Sequence, residues 1–126
     1  MIQHKHLIIN AEINYVHKYQ KQARSFLSHL VKFIGMKRLT IPFAKYVKVP
    51  GNRGMTAFVP IETSHIAYHI WDEFEPPRLR LDVYTCGELN EQEVINYIDD
   101  TFGFVSGDWM LIDREHNMNI VSEGKL

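Results

Sequence analysis

The chain has a single cysteine among its 126 residues, Cys86, so no internal disulfide can form and burial with hydrogen bonding must hold the fold. Cys86 is then either a small core hydrophobe or a working thiol. No apolar run is long enough to cross a bilayer as a helix. The opening residues Met1-Ile2-Gln3-His4-Lys5-His6 lack the apolar stretch and small-residue cleavage site of a secretory leader, which sets the expectation of a cytoplasmic protein with no membrane partner. Repeats, low-complexity tracts and linkers are also missing, so one domain over residues 1–126 is expected. A hydrophobic share of 45% and a charged share of 23% belong to a chain that can build a core.

Acidic residues are scarce in one half only. Residues 1–63 hold ten Lys and Arg against Glu12 and Glu62, while residues 64–126 hold four against thirteen acids. A basic half often marks nucleic-acid binding, but here the acidic half of the same chain is the nearer counter-ion, so no nucleic-acid partner is expected. Two pieces divided near residue 64 would attract each other.

Leu7-Ile8-Ile9 with Ala11 and Ile13 predicts a buried strand. From Tyr15 to Ile34, Val16, Tyr19, Ala23, Phe26, Leu27, Leu30, Val31 and Ile34 recur at three- and four-residue steps, predicting an amphipathic helix closed by Gly35. Leu39–Val49 reads as extended, and Pro50-Gly51-Asn52-Arg53-Gly54 as a turn. Strands are expected over Thr56–Ile61 and His65–Trp71, with a kink at Glu62–Ser64, and over Leu79–Cys86 and Asp108–Asp113. Pro76-Pro77 makes Phe74–Pro77 a loop. Asn90 with Glu93 starts a second helix, whose stripe Val94, Ile95, Ile98 and Phe102 ends near Gly103, and the tail Ser122–Leu126 is expected to be loose.

Two helices and about six strands predict an α+β two-layer sandwich, with both helices on one face of a mostly antiparallel sheet. On His65–Trp71, Ile66, Tyr68 and Ile70 belong under the helices. His65, Ala67, His69 and Trp71, with Tyr84 and Cys86 from the next strand, form a bare face suited to a partner subunit or a ligand. His65 and His69 share the spacing of zinc ligands on a helix, but the segment reads as strand and shows no third ligand, so no metal site is expected.

The runs Glu62-Thr63-Ser64-His65-Ile66-Ala67-Tyr68-His69-Ile70-Trp71-Asp72-Glu73 and Thr85-Cys86-Gly87 carry the chemistry. A serine followed by two histidines, a Trp-x-Glu and a downstream Thr-Cys-Gly resembles the bacterial-type S-adenosylmethionine decarboxylases. That resemblance implies a chain that cuts itself between Thr63 and Ser64, into residues 1–63 and 64–126, and turns Ser64 into a pyruvoyl cofactor. It also implies a homodimer with sheets face to face and active sites drawn from both subunits.

By the same resemblance, Ser64 attacks the Thr63 carbonyl, His69 removes the Cα proton and Thr56 supports processing with its hydroxyl. The pyruvoyl ketone condenses with the amine of the substrate, S-adenosylmethionine, and Cys86 reprotonates the product. Glu73 matches the ribose-binding glutamate and Trp71 lies beside it, while the adenine-stacking aromatic has no exact counterpart, with Tyr46 and Phe43 near its place. The product would feed spermidine synthesis. Thr63 replaces the family's usual glutamate, and Asp72 its usual proline. Two alternatives stay open: a pyruvoyl decarboxylase of arginine or ornithine, and an uncut, non-catalytic regulatory homologue.

Overall fold

Leu7, Ile9, Ala11 and Ile13 alternate with more polar neighbours. In the computed structural model, which describes residues 3–126, they are buried on one face of strand β1, Lys5–Ile13. Helix α1, Gln20–Phe33, buries Ala23, Phe26, Leu27, Leu30 and Val31. Strands β2, Phe43–Val47, β3, Gly54–Ile61, β4, Ser64–Trp71, and β5, Arg78–Thr85, follow as antiparallel neighbours. Helix α2, Glu91–Phe102, then leads into β6, Phe104–Asp113, and β7, Asn119–Lys125. The seven strands form one antiparallel sheet in the order β2-β3-β4-β5-β1-β6-β7.

Both helices cover the same face. Phe26 of α1 and Phe102 of α2 pack edge-on against Tyr68 of β4 and against each other, with ring centroids 5.1–5.7 Å apart. Aromatic pairs in this arrangement contribute about 0.5–1.5 kcal/mol each beyond simple burial. Ile66, Tyr68 and Ile70 lie under the helices, while His65, Ala67, His69 and Trp71 line the uncovered face, as the alternation predicts.

The helix boundaries have local causes. Asn90 Oδ1 accepts the Glu93 amide at 3.1 Å and caps α2. Gly35, at φ 75°, closes α1 in a Schellman motif: its amide donates to Lys32 O at 2.9 Å, and the Met36 amide to Val31 O at 3.0 Å. Where the periodicity predicts helix from Tyr15, α1 begins only at Gln20. Tertiary contacts override the local pattern there: the Asn14 and Tyr15 amides donate to Phe102 O, and His17 turns inward onto Phe26, Tyr68 and Phe102. Burial holds the His17 ring neutral, with its pKa lowered to about 4, and its Nδ1 is hydrogen-bonded to the Tyr68 hydroxyl at 2.6 Å.

Other expectations are corrected at the sheet edges. Within Leu39–Val49 only Phe43–Val47 is strand, preceded by an isolated bridge between Arg38 and Ile61. Strand β6 starts at Phe104, four residues before the expected Asp108. The tail is not loose. It forms β7, the seventh strand, paired along β6 and fastened by Lys125 to Asp108 at 2.5 Å and by Ser122 Oγ to Glu91 Oε1 at 3.1 Å. This edge strand is largely exposed and pairs through its backbone, so it shows no apolar alternation to read.

Gly54 sits at φ 148°, with its Cα against β4. An added Cβ would strike the Ile70 carbonyl oxygen and lie 2.7 Å from the carbonyl carbon. Gly54→Ala is therefore expected to destabilise the protein by more than about 2 kcal/mol, because both conformation and space are lost. Urea unfolding measures this, and an unchanged midpoint would refute the tight β3–β4 contact.

Candidate active site

The β3–β4 ladder closes on the pair Ile61–Ser64, which leaves Glu62 and Thr63 as a two-residue turn. Thr63 takes φ 59°, the left-handed region that is unfavourable for a β-branched residue. The peptide bond expected to be cut therefore follows a strained residue. Ser64 points to the covered side and is 8% exposed. Its Oγ donates to Glu62 O at 3.2 Å, and Cys86 Sγ donates to the same oxygen at 3.5 Å. Thr63 Oγ1 donates there too, at 2.7 Å. The expected nucleophile and the expected proton donor thus meet at one backbone carbonyl. Cys86 lies just beyond β5 and is half-buried, outside the apolar core.

Thr56 and His69 form a second group on the uncovered face. They are direct cross-strand partners, with Thr56 Oγ1 and His69 Nδ1 3.0 Å apart. His69 is exposed and follows Ser64 by five residues on the same strand, roughly 16 Å along β4 at about 3.3 Å per residue. An odd offset also puts the two side chains on opposite faces. One chain alone does not bring His69 to Ser64.

A third group lies at the far end of β4. Trp71 is on the uncovered face, its indole Nε1 donating to Asn52 Oδ1 at 3.2 Å. Glu73 receives the Gly51 amide on Oε2 at 3.1 Å and the Arg53 amide on Oε1 at 2.8 Å. These backbone bonds, the Arg53 one first, hold its carboxyl below the ordinary range. Asp72 ties Arg53 Nε at 2.8 Å and the Tyr46 hydroxyl at 2.6 Å. Tyr46 pairs with the buried Met55, so it shares the helix-covered side and not the face that carries Trp71.

Between these ends, His6 of β1 and His65 of β4 flank Asp82 of β5. His6 Nε2 is 2.7 Å and His65 Nε2 is 3.4 Å from Asp82 Oδ2. Burial raises the Asp82 pKa, but the His6 hydrogen bond and the nearby His6 and His65 rings outweigh it, and the net shift is downward. Tyr84 packs among His4, His6 and His65, with Arg114 4.2 Å above its ring. Sequence inspection missed His6 and Asp82 here, because they lie 59 and 17 residues from His65. Only the strand order brings them together.

Comparison with known proteins gives a family match over most of the chain. The family model described as S-adenosylmethionine decarboxylase matches residues 5–115. An S-adenosylmethionine decarboxylase proenzyme of Brevibacillus brevis is 30% identical over 79 residues, covering 58% of this chain and 28% of that protein. One from Acidithiobacillus ferrooxidans is 35% identical over 51 residues, covering 40% of this chain and 37% of that protein. The matched stretches therefore span well under half of these relatives.

Thr63 supplies a direct test of the strained turn. In a Ser64→Ala background, Thr63→Gly is expected to raise stability by roughly 0.5–1 kcal/mol, the relief of left-handed strain less the added freedom of an unfolded glycine. A urea midpoint that stays put or falls would show the turn to be relaxed.

Proposed function

The chain belongs to the S-adenosylmethionine decarboxylase family, and on that premise we propose that it is a proenzyme that cuts itself at Thr63–Ser64 and then decarboxylates S-adenosylmethionine for spermidine synthesis. The observation that carries the reading is the convergence of Ser64 Oγ and Cys86 Sγ on Glu62 O beside a strained Thr63. Strain at residue 63 raises the energy of the uncut chain and so lowers the barrier to leaving it.

In the proposed cut, Ser64 Oγ attacks the Thr63 carbonyl carbon, the Ser64 nitrogen leaves, and an ester replaces the amide. A base then removes the Ser64 Cα proton. Elimination releases Thr63 as a carboxylate and leaves a dehydroalanine, which water hydrolyses to ammonia and a ketone. His69 suits the base when its Nδ1–H donates to Thr56 Oγ1, because Nε2 then carries the free lone pair. A pyruvoyl ketone at residue 64 supplies the electron sink for loss of carbon dioxide. Cys86, already at that corner, is the group placed to return a proton.

The separation of Ser64 from His69 supports a homodimer formed through the uncovered sheet face. A two-fold axis lying in that interface and crossing β4 between Ile66 and Ala67 turns one copy end for end over the other. The residue-64 end of one subunit then faces Thr56 and His69 of its mate. Trp71 and Glu73 are the groups proposed to take the nucleoside. The Glu73 lone pairs not used by Gly51 and Arg53 are the acceptors for ribose hydroxyls, and Tyr46 contributes by holding Asp72 beside them.

Complementation tests both the chemistry and the pairing. Ser64→Ala and His69→Ala chains should each stay whole alone. When they are co-expressed in equal amounts, each mixed dimer regains one complete site, so about a quarter of all chains should be cut, every one of them a His69→Ala chain. Absence of rescue would refute a shared site. Release of carbon dioxide from arginine or ornithine, but not from S-adenosylmethionine, would reassign the substrate.

A further inference from the structure

The His6–Asp82–His65 group has the composition and spacing of a metal centre. Its three residues come from adjacent strands in the middle of the sheet, β1, β5 and β4. His6 and His65 both stand opposite Tyr84 in the register, and Asp82 is two residues along β5 on the same face. Both rings therefore lean across one carboxylate from opposite sides. The three donor atoms all lie within 4.8 Å of one another. Metal bonds of about 2.0–2.2 Å in a tetrahedral centre put ligand atoms about 3.3 Å apart. The His6 and His65 distances to Asp82 Oδ2, 2.7 and 3.4 Å, straddle that value.

We propose that His6, His65 and Asp82 bind one borderline divalent transition ion of the zinc class, with a fourth position open on the uncovered face of the sheet. Two imidazoles and one carboxylate form a set that suits zinc, cobalt or nickel better than magnesium or calcium, which prefer all-oxygen shells. All three residues are half-buried, so an ion can enter without opening the core. Both rings offer Nε2 to the shared point, so the Nδ1 atoms remain to take orienting hydrogen bonds. Three protein ligands leave room for water or a group from a second copy.

The site joins both halves of the chain. His6 lies in residues 1–63, whereas His65 and Asp82 lie in 64–126. If the proposed cut occurs, a point that rests on the function proposed above, the ion clamps the first residue after the new chain start to β1 of the other piece. Metal binding itself requires no cut, because all three ligands are already gathered in the whole chain.

The test uses full-length protein stripped with a chelator, loaded with zinc alone and dialysed against metal-free buffer, in wild-type and Ser64→Ala forms. Elemental analysis should find about one zinc per chain in both forms, whether or not the wild type is cut. Asp82→Asn and His65→Gln should each weaken zinc binding at least about tenfold by calorimetry, while His29→Ala and His116→Ala leave it unchanged. X-ray absorption on zinc-loaded wild type reads the ligands without any substitution and should show two imidazoles with oxygen donors. Retention of no zinc, a sulfur neighbour from Cys86, or full affinity in the combined variant His6→Ala, His65→Ala, Asp82→Ala would overturn the proposal.

Discussion

The placement of β1 between β5 and β6 is the constraint on which the rest of the structure depends. Eight residue pairs join β1 to β5, and nine join it to β6. Strand β1 belongs to the basic first half of the chain, and both of its neighbours to the acidic second half. Strands β3 and β4 join the halves a second time. Ion pairs from Lys5 to Asp113 and from Arg53 to Asp72 cross the same division. A cut in the turn between β3 and β4 would leave every one of these ladders in place, and loss of one covalent link would not separate pieces interleaved in a single sheet.

Covering one face with both helices fixes what the other face can be. Every even position of β4 from Ser64 to Ile70 is buried, so every odd position points away from the core. His65, Ala67, His69 and Trp71 therefore form a row with Thr56, Arg80, Asp82 and Tyr84 beside it. Ser64 is the exception among the chemically interesting groups. It starts the buried row, at the corner where the strained turn and Cys86 meet. The geometry divides the labour proposed for the site: the bond to be cut lies at one end of the strand, the base in its middle and the nucleoside-binding groups at the other end. In the proposed homodimer, a second copy turned end for end would bring these parts together.

Much of this was legible in the sequence wherever burial imposed a period. Val94, Ile95, Ile98 and Phe102 all prove buried on α2, and Leu79, Leu81 and Val83 on β5, because each stripe had to face a core. The sequence was silent where backbone pairing or distant partners decide the outcome. Strand β7 has no apolar stripe, since it is an exposed edge held by β6. The segment from Tyr15 to Tyr19 has helical spacing, yet the carbonyl of Phe102 takes the Tyr15 amide and His17 turns into the core. At the site, the motif carried Ser64, His69, Glu73 and Cys86 but gave no distances. The spread of those residues along β4 and the junction of His6 with Asp82 follow from strand order, which no local pattern encodes.

Mass spectrometry of the denatured full-length protein after incubation at neutral pH tests the central claim most directly. The account predicts two masses, residues 1–63 with an ordinary carboxyl end and residues 64–126 beginning with a ketone in place of serine, from a sample that migrates as one species before denaturation. A single mass for the intact chain, unchanged by prolonged incubation, would contradict it.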